Sequence, residues 1–268
     1  MDDIDRQIIF NLLKDGRMSQ HMLAKRLNLT PPSLNLRFRK LLEEGVIRGF
    51  KVLMNPNYLN KYFAYYAFAN TKDVYSEGMF VKFNCLEDFN VYGFQGNSLE
   101  EISRIVKGIA SELGDPVMEY VPAQSPTMLK THYLLLLKVL MENPRADLGD
   151  IAHRLNYKVS KVRKLVNEIT ELRGFAVLPE VDLIKADSIL LAIFTRRLEE
   201  VKRVTGKFSI ISIPGQGSGI DVSFVGSIRT AKSITDVVRG TDPEAQVMLV
   251  YDYWIKSDVR NLEQVRVG

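Results

Sequence analysis

The chain has 268 residues, of which 46% are hydrophobic and 25% charged, with 17 Gly, 10 Pro and a single Cys. These ordinary values exclude a disordered chain, a collagen and a disulfide scaffold, and Cys85 alone cannot form an internal bridge, which fits a reducing compartment. The net charge of +4 and pI near 9.0 permit a nucleic-acid partner without requiring one.

Location says more than the total. Residues 1–50 carry nine Lys/Arg against six Asp/Glu, residues 51–126 six against nine, residues 127–178 nine against five, and the remainder twelve of each. The excess of +7 therefore sits on two segments whose apolar residues recur with helical spacing. The opening Met1-Asp2-Asp3 is acidic rather than basic and apolar, so the expected location is the cytoplasm. The longest apolar stretch, Tyr133 to Met141, is broken by Lys138 and falls far short of the ~20 residues a bilayer needs, so no membrane partner is expected.

In chain order, Ile8, Ile9, Leu12 and Leu13 form a helical stripe after a capping Asp, and Gly16 ends it. Ser19 caps a short second helix carrying Leu23, Ala24 and Leu27, and Asn28-Leu29 makes a tight turn. Thr30-Pro31 then starts a third helix that runs to about Glu44 before Gly45. Val46 to Leu53 alternates like a β-wing. Three helices, a tight turn and a wing describe a winged helix-turn-helix. Leu34, Phe38 and Leu41 should be buried on the third helix. Ser33, Asn35, Leu36 and Arg37 are the candidates for base edges, with Arg39 and Lys40 for phosphates.

After a first α/β body, the plan returns. Leu134 to Met141 is an apolar helix, Asp147 caps a second, and a third buries Val162, Val166 and Ile169. This third helix exposes Ser160, Lys161, Arg163, Lys164 and Asn167, and Lys158, at the place of Thr30, is a poor cap. Self-comparison supports a repeat: Ala24 to Leu29 meets Ala152 to Tyr157, and Arg17 meets Arg145, at a shift of 128. Phe94 and Gly96 meet Phe224 and Gly226 at 130, Ile102 to Gly108 meets Ile234 to Gly240 at 132, and Val117-Met118 meets Val247-Met248 at 130.

Asp2-x-x-Asp5-x-x-Ile8, Asp15-Gly16-Arg17, Leu23-Ala24-x-x-Leu27, Leu29-Thr30-Pro31 and Leu42 to Gly49 together resemble the DNA-binding head of the Lrp/AsnC transcriptional regulators. The second head resembles it loosely. The resemblance implies an α+β chain: two winged helix-turn-helix domains, residues 1–52 and 127–180, alternating with two ferredoxin-like βαββαβ (RAM-like) domains, residues 53–126 and 181–268. It also implies a tandem duplication in which one chain acts as the dimer that family members form from two. Double-stranded DNA is the expected partner, with the two bodies packed sheet against sheet and a homodimer of the whole chain allowed. In the first body the strand Tyr62–Asn70 should be followed by a short helix. In the second, Gly215 to Asp221 stands where family members place an effector-site signal, so Gly217, Gly219 and Asp221 are candidates for an amino-acid-like effector; an ordinary hairpin loop explains the same residues.

Histidines 21, 132 and 153 all fall in the heads, and with Cys85 they make no metal-ligand spacing. No phosphate-loop, dinucleotide or nucleophile-elbow pattern is present, so no cofactor, no metal and no catalytic residue are expected, and the chain reads as a non-enzyme. Two alternatives stand beside a regulator. One is a sirohaem decarboxylase-like enzyme of the same fold, against which bodies lacking histidine argue. The other is a module docking on transcription machinery, which the apolar helix Leu134–Met141 favours.

Overall fold

The computed structural model describes residues 1–215 and 217–256. Three helices come first: α1 (Asp3–Lys14), α2 (Gln20–Arg26) and α3 (Pro31–Glu43), capped by Asp2, Ser19 and Thr30. Strand β1 (Ile47–Met54) and a 3-10 turn (Pro56–Tyr58) lead to β2 (Tyr62–Phe68), β3 (Met79–Cys85), β4 (Asn90–Gly96), α4 (Leu99–Leu113) and β5 (Pro116–Tyr120). Then α5 (Thr131–Glu142), α6 (Leu148–Leu155), α7 (Val159–Glu171) and β6 (Phe175–Val181) repeat the opening order. The remainder is β7 (Ile189–Thr195), α8 (Leu198–Thr205), β8 (Ser209–Pro214), β9 (Gly219–Val225), α9 (Ile228–Thr241) and β10 (Gln246–Ile255). The turns before α3 and α7 are made alike: Asn28 and Asn156, 128 residues apart, are both left-handed, with φ of 53° and 52°.

β2 to β5 and β7 to β10 form one antiparallel sheet, ordered β5-β2-β4-β3-β10-β7-β9-β8. Alternation along the strands separates its faces. Ala64, Tyr66 and Phe68 pack under α4 against Ile102, Val106, Ile109 and Leu113. Ile189, Leu191 and Ile193 pack under α8 and α9 against Val201, Ala231, Ile234 and Val238. The opposite faces, with Phe63, Tyr65 and Tyr120 from one side and Leu190, Ile220 and Val222 from the other, share one core. The Tyr120 and Phe194 rings meet edge to face at 5.5 Å. The bodies thus do pack face to face, as expected, but they are also joined edge to edge. β3 pairs with β10 from Val81↔Ile255 to Cys85↔Val250, a seam that no local pattern announces. At the far edges β5 and β8 approach through Pro122↔Gly215 and a Tyr120 hydroxyl donating to the Ile213 carbonyl at 2.9 Å. Cys85 lies inside this core, where burial pushes its thiol up to about 12 and leaves it no nucleophile.

Three expectations need correction. First, no helix lies between β2 and β3. Residues 69–78 run as an irregular strap whose Lys72 carbonyl accepts from Asn90 Nδ2 and the Tyr92 hydroxyl, while its Asp73 covers the amine of buried Lys82. Backbone bound in that way to the strands beneath is not available for helical bonding. Second, β1 forms no wing with its own head. It pairs antiparallel with β6, Ile47↔Val181 through Met54↔Phe175, so each head lends its strand to the other. Third, Val166 is half-buried, and the stripe of α7 is Val162, Leu165 and Ile169.

The strand exchange also explains the apolar helix. Leu134 to Leu137, Val139 and Leu140 of α5 are all buried, in a core that takes in Val52 and Met54 of β1. Burying each such side chain is worth ~1.5–3 kcal/mol. A helix clothed on nearly every side by its own chain offers no docking face, so its apolarity no longer argues for an interaction module. Among the described residues no helix is long and apolar enough to cross a membrane.

Candidate nucleic-acid interface

On α3, Pro31 follows the Thr30 cap, and the Thr30 hydroxyl accepts from the Ser33 N–H. Leu34, Phe38 and Leu41 are buried against α1 and α2, as their spacing requires. The opposite face presents Asn35, Leu36, Arg39 and Lys40, all exposed. Leu36 is 64% exposed. Asn35 and Arg39 have no side-chain partner among the described residues, and Lys40 is 3.7 Å from Glu44, an exposed pair of little strength. Ser33 is half-buried in the first turn.

Arg37 differs. Its Nη1 donates to Asp2 at 2.7 Å and to Asp5 at 2.8 Å, at the start of α1. These two hydrogen bonds, Asp5 first, hold its guanidinium further toward the charged form. Of the side chains expected at base edges, Arg37 is therefore the one tied to the first turn of α1.

On α7, Ser160, Lys161, Arg163 and Lys164 are all exposed. The Lys161 amine sits 3.5 Å from the centre of the Tyr157 ring, and Lys164 is 3.8 Å from Glu168. Lys158 makes no side-chain cap, which leaves the first N–H groups of α7 open. Burial, then Lys130 and Lys161, hold the nearby His132 imidazole below its usual value, with Glu168 acting against them. In head one the first turn of α1 is instead acidic, with Asp3 and Asp5. The two heads share a plan and differ in charge.

The candidate effector residues do not form one surface. Gly217 is at the loop tip with φ of +72° and open space around it. At Gly219 a Cβ would meet Leu198 at 2.6 Å. Asp221 is fully buried and accepts from Ser209 and Ser212 at 2.7 Å and from Ser223 at 2.9 Å. Two further residues, unforeseen as functional, join the heads. Arg17 and Arg145, which the repeat had brought into register, each bond the turn of the opposite head.

The family described as winged helix-turn-helix DNA-binding matches residues 1–48. The leucine-responsive regulatory protein of Escherichia coli is 45% identical over 60 residues, which are 22% of this chain and 37% of that protein. The same protein of Salmonella typhimurium matches equally. The first head is a winged helix-turn-helix similar to that of the leucine-responsive regulatory proteins. The chain spans about a third of the length of these curated relatives.

Among solved structures, the sirohaem decarboxylase NirDL covers 95% of this chain and 93% of its own at 14% identity, with a TM-score of 0.48. An AsnC family transcriptional regulator from Agrobacterium tumefaciens covers 50% of this chain and 99% of its own at 18% identity, with a TM-score of 0.34. The expectation of a non-enzyme is corrected here. A chain solved as a sirohaem decarboxylase aligns along nearly all of this one.

Proposed function

We propose that this chain is a sequence-specific DNA-binding transcription regulator in which one polypeptide does the work of a dimer. The supporting observation is the outward face of α3, where Asn35, Leu36, Arg39 and Lys40 are exposed and only Lys40 has a side-chain partner among the described residues, the exposed Glu44. Asn35 has the donor and acceptor that suit an adenine edge, Leu36 a surface for a thymine methyl, and the two cations suit phosphates. The second head adds Ser160, Lys161, Arg163 and Lys164 on α7 of the same chain. Since the two faces differ in sequence, the two half-sites differ, and the operator is asymmetric. Both oxygens of buried Asp221 already accept serine hydroxyls, so a ligand at Gly217–Asp221 forms no part of the proposal.

The test is selection from random duplexes with the intact protein, followed by footprinting. Enrichment of one two-part site is expected, its halves an integral number of turns apart at about 10.5 base pairs each. Protection of one half-site alone removes the two-headed reading, and no enrichment over random DNA removes sequence-specific binding.

A further inference from the structure

The side chains of Arg17 and Arg145 cross the boundary between the heads in opposite directions. Arg17 donates from Nη1 to the Pro144 carbonyl and from Nη2 to the Ala146 carbonyl, both at 2.7 Å. Arg145 donates from Nη1 to the Gly16 carbonyl at 2.6 Å and from Nη2 to the Met18 carbonyl at 3.0 Å. Each guanidinium thus grips the two carbonyls that flank the other arginine. These belong to the α1–α2 and α5–α6 turns, where carbonyls lack helical partners.

Both side chains are half-buried, and among the described residues neither forms an ion pair with a carboxylate. A planar fork reaches two separate carbonyls from two nitrogens in a fixed geometry, which the single nitrogen of a lysine does not reproduce. Arg145 also lies over the rings of Phe50, at 4.7 Å, and Phe38, at 5.6 Å. Phe38 belongs to the buried stripe of α3, so an arginine from the second head braces the first head's recognition helix from behind. The Gly16 N–H bonds the Val177 carbonyl of β6 at 3.1 Å, which pins the same turn to the exchanged ribbon.

We infer that Arg17 and Arg145 are positioning residues that lock the two recognition helices at one separation and orientation, so that the chain selects DNA by the spacing between its half-sites. The inference rests on the two-headed reading above. Heads on a loose tether accept many spacings, because effective concentration falls slowly with distance. Locked heads meet a wrong spacing only by deforming the DNA or breaking the clasp.

Two measurements on the full chain separate this inference from the reading beneath it. In the first, spin labels are placed at Leu42→Cys on α3 and Thr170→Cys on α7, exposed positions outside the binding faces, while buried Cys85 stays unlabelled. The parent should give one narrow distance distribution. R17Q/R145Q, and the charge-preserving R17K/R145K, should broaden it while keeping the parent's circular dichroism and cooperative melting. A narrow distribution in a folded variant overturns the inference. In the second, the selected half-sites are joined by spacers of every length. The parent should prefer one spacing by about tenfold or more, and the variants should spread over several while holding a lone first-head half-site within about twofold of the parent. A variant that keeps the parent's preference overturns the inference. A parent that binds no duplex refutes the DNA reading instead, and the label distances still decide the clasp.

Discussion

Arg37 Nη1 lies 2.8 Å from Asp5 Oδ1, so a residue on the recognition helix is spent on the first turn of α1. Asp2 accepts from the same nitrogen at 2.7 Å and caps α1 through the Asp5 N–H. The three side chains form a brace between α3 and the start of α1. Arg37→Gln should therefore destabilise the head by ~1 kcal/mol, discounted for its partial exposure, and leave base preference unchanged. Urea unfolding and repeat selection measure the two effects separately. A changed consensus at one base with unchanged stability would return Arg37 to the interface.

The brace has a pH signature. The Asp5 N–H, then Arg37, hold the Asp2 carboxyl below its ordinary 3.8. A depressed folded value means that the stability this group contributes is fully present above about pH 3.8 and is lost as pH falls through the lower folded value. In Arg37→Gln the Asp2 carboxyl should move back toward 3.8, so the acid limb of the urea midpoint should be smaller than in the parent and end at higher pH. Coincident acid limbs would show that Arg37 does not contribute to the shift.

Asn35 should behave differently from Arg39 and Lys40. Asn35→Ala is expected to cost ~1–3 kcal/mol on the preferred site and almost nothing on random DNA, because a base-edge contact is paid only at one sequence. Arg39→Ala and Lys40→Ala should weaken both equally and reduce the slope of log K against log salt by about one phosphate each. Equal losses for Asn35→Ala on specific and random DNA would place that residue on the backbone.

The contrast between Arg37 and Asn35 marks where sequence reasoning reached its limit. Helix starts were legible because caps are local: Asp2, Ser19, Thr30 and Asp147 all accept the expected N–H, and Lys158 fails to. Buried stripes were legible for the same reason, with Val166 in place of Leu165 on α7 the exception. The fate of Arg37 was not, since its acids stand on another helix and only packing brings them close. The β1–β6 and β3–β10 pairings were hidden likewise, because alternation reports a strand and never its partner. The absent helix between β2 and β3 was masked by analogy with the second body, where α8 occupies that place. Arg17 and Arg145 were visible as equivalent positions. Equivalence, however, does not reveal that two such residues touch each other's turns.

Gly16 offers a test of the exchanged ribbon. A Cβ at this position would lie 2.3 Å from the Val177 carbonyl oxygen, and backbone cannot rotate aside as a side chain can. Gly16→Ala should therefore force α1 away from β6 and lower stability by ~1–3 kcal/mol, as overpacking does. The neighbouring clasp should loosen with it, since the Gly16 carbonyl is one of its acceptors. The reading is checked by the urea midpoint together with the label distance between α3 and α7. Full stability in Gly16→Ala would mean that the ribbon does not sit against this turn.

Asp221 decides between a structural and a ligand-binding role for the second body's glycine loop. Its carboxylate is buried beneath the helices and takes hydrogen bonds from Ser209, Ser212 and Ser223. No cation pairs with it among the described residues, so the hydroxyls alone offset its lost hydration. Asp221→Ala leaves three hydroxyls without their acceptor and removes the organising centre of β8 against β9. A loss of ~3 kcal/mol is expected from the stranded groups. Asp221→Asn retains an acceptor but gains an amide that needs one, and should fall between the two. If the residue instead held an effector, the parent should gain stability from an added amino acid and Asp221→Asn should lose that gain at little cost in the absence of ligand. Thermal melts of parent and both variants, with and without a panel of amino acids, separate these outcomes. The buried serine cage favours the first: a carboxylate already satisfied on three sides has little left with which to recognise a second partner.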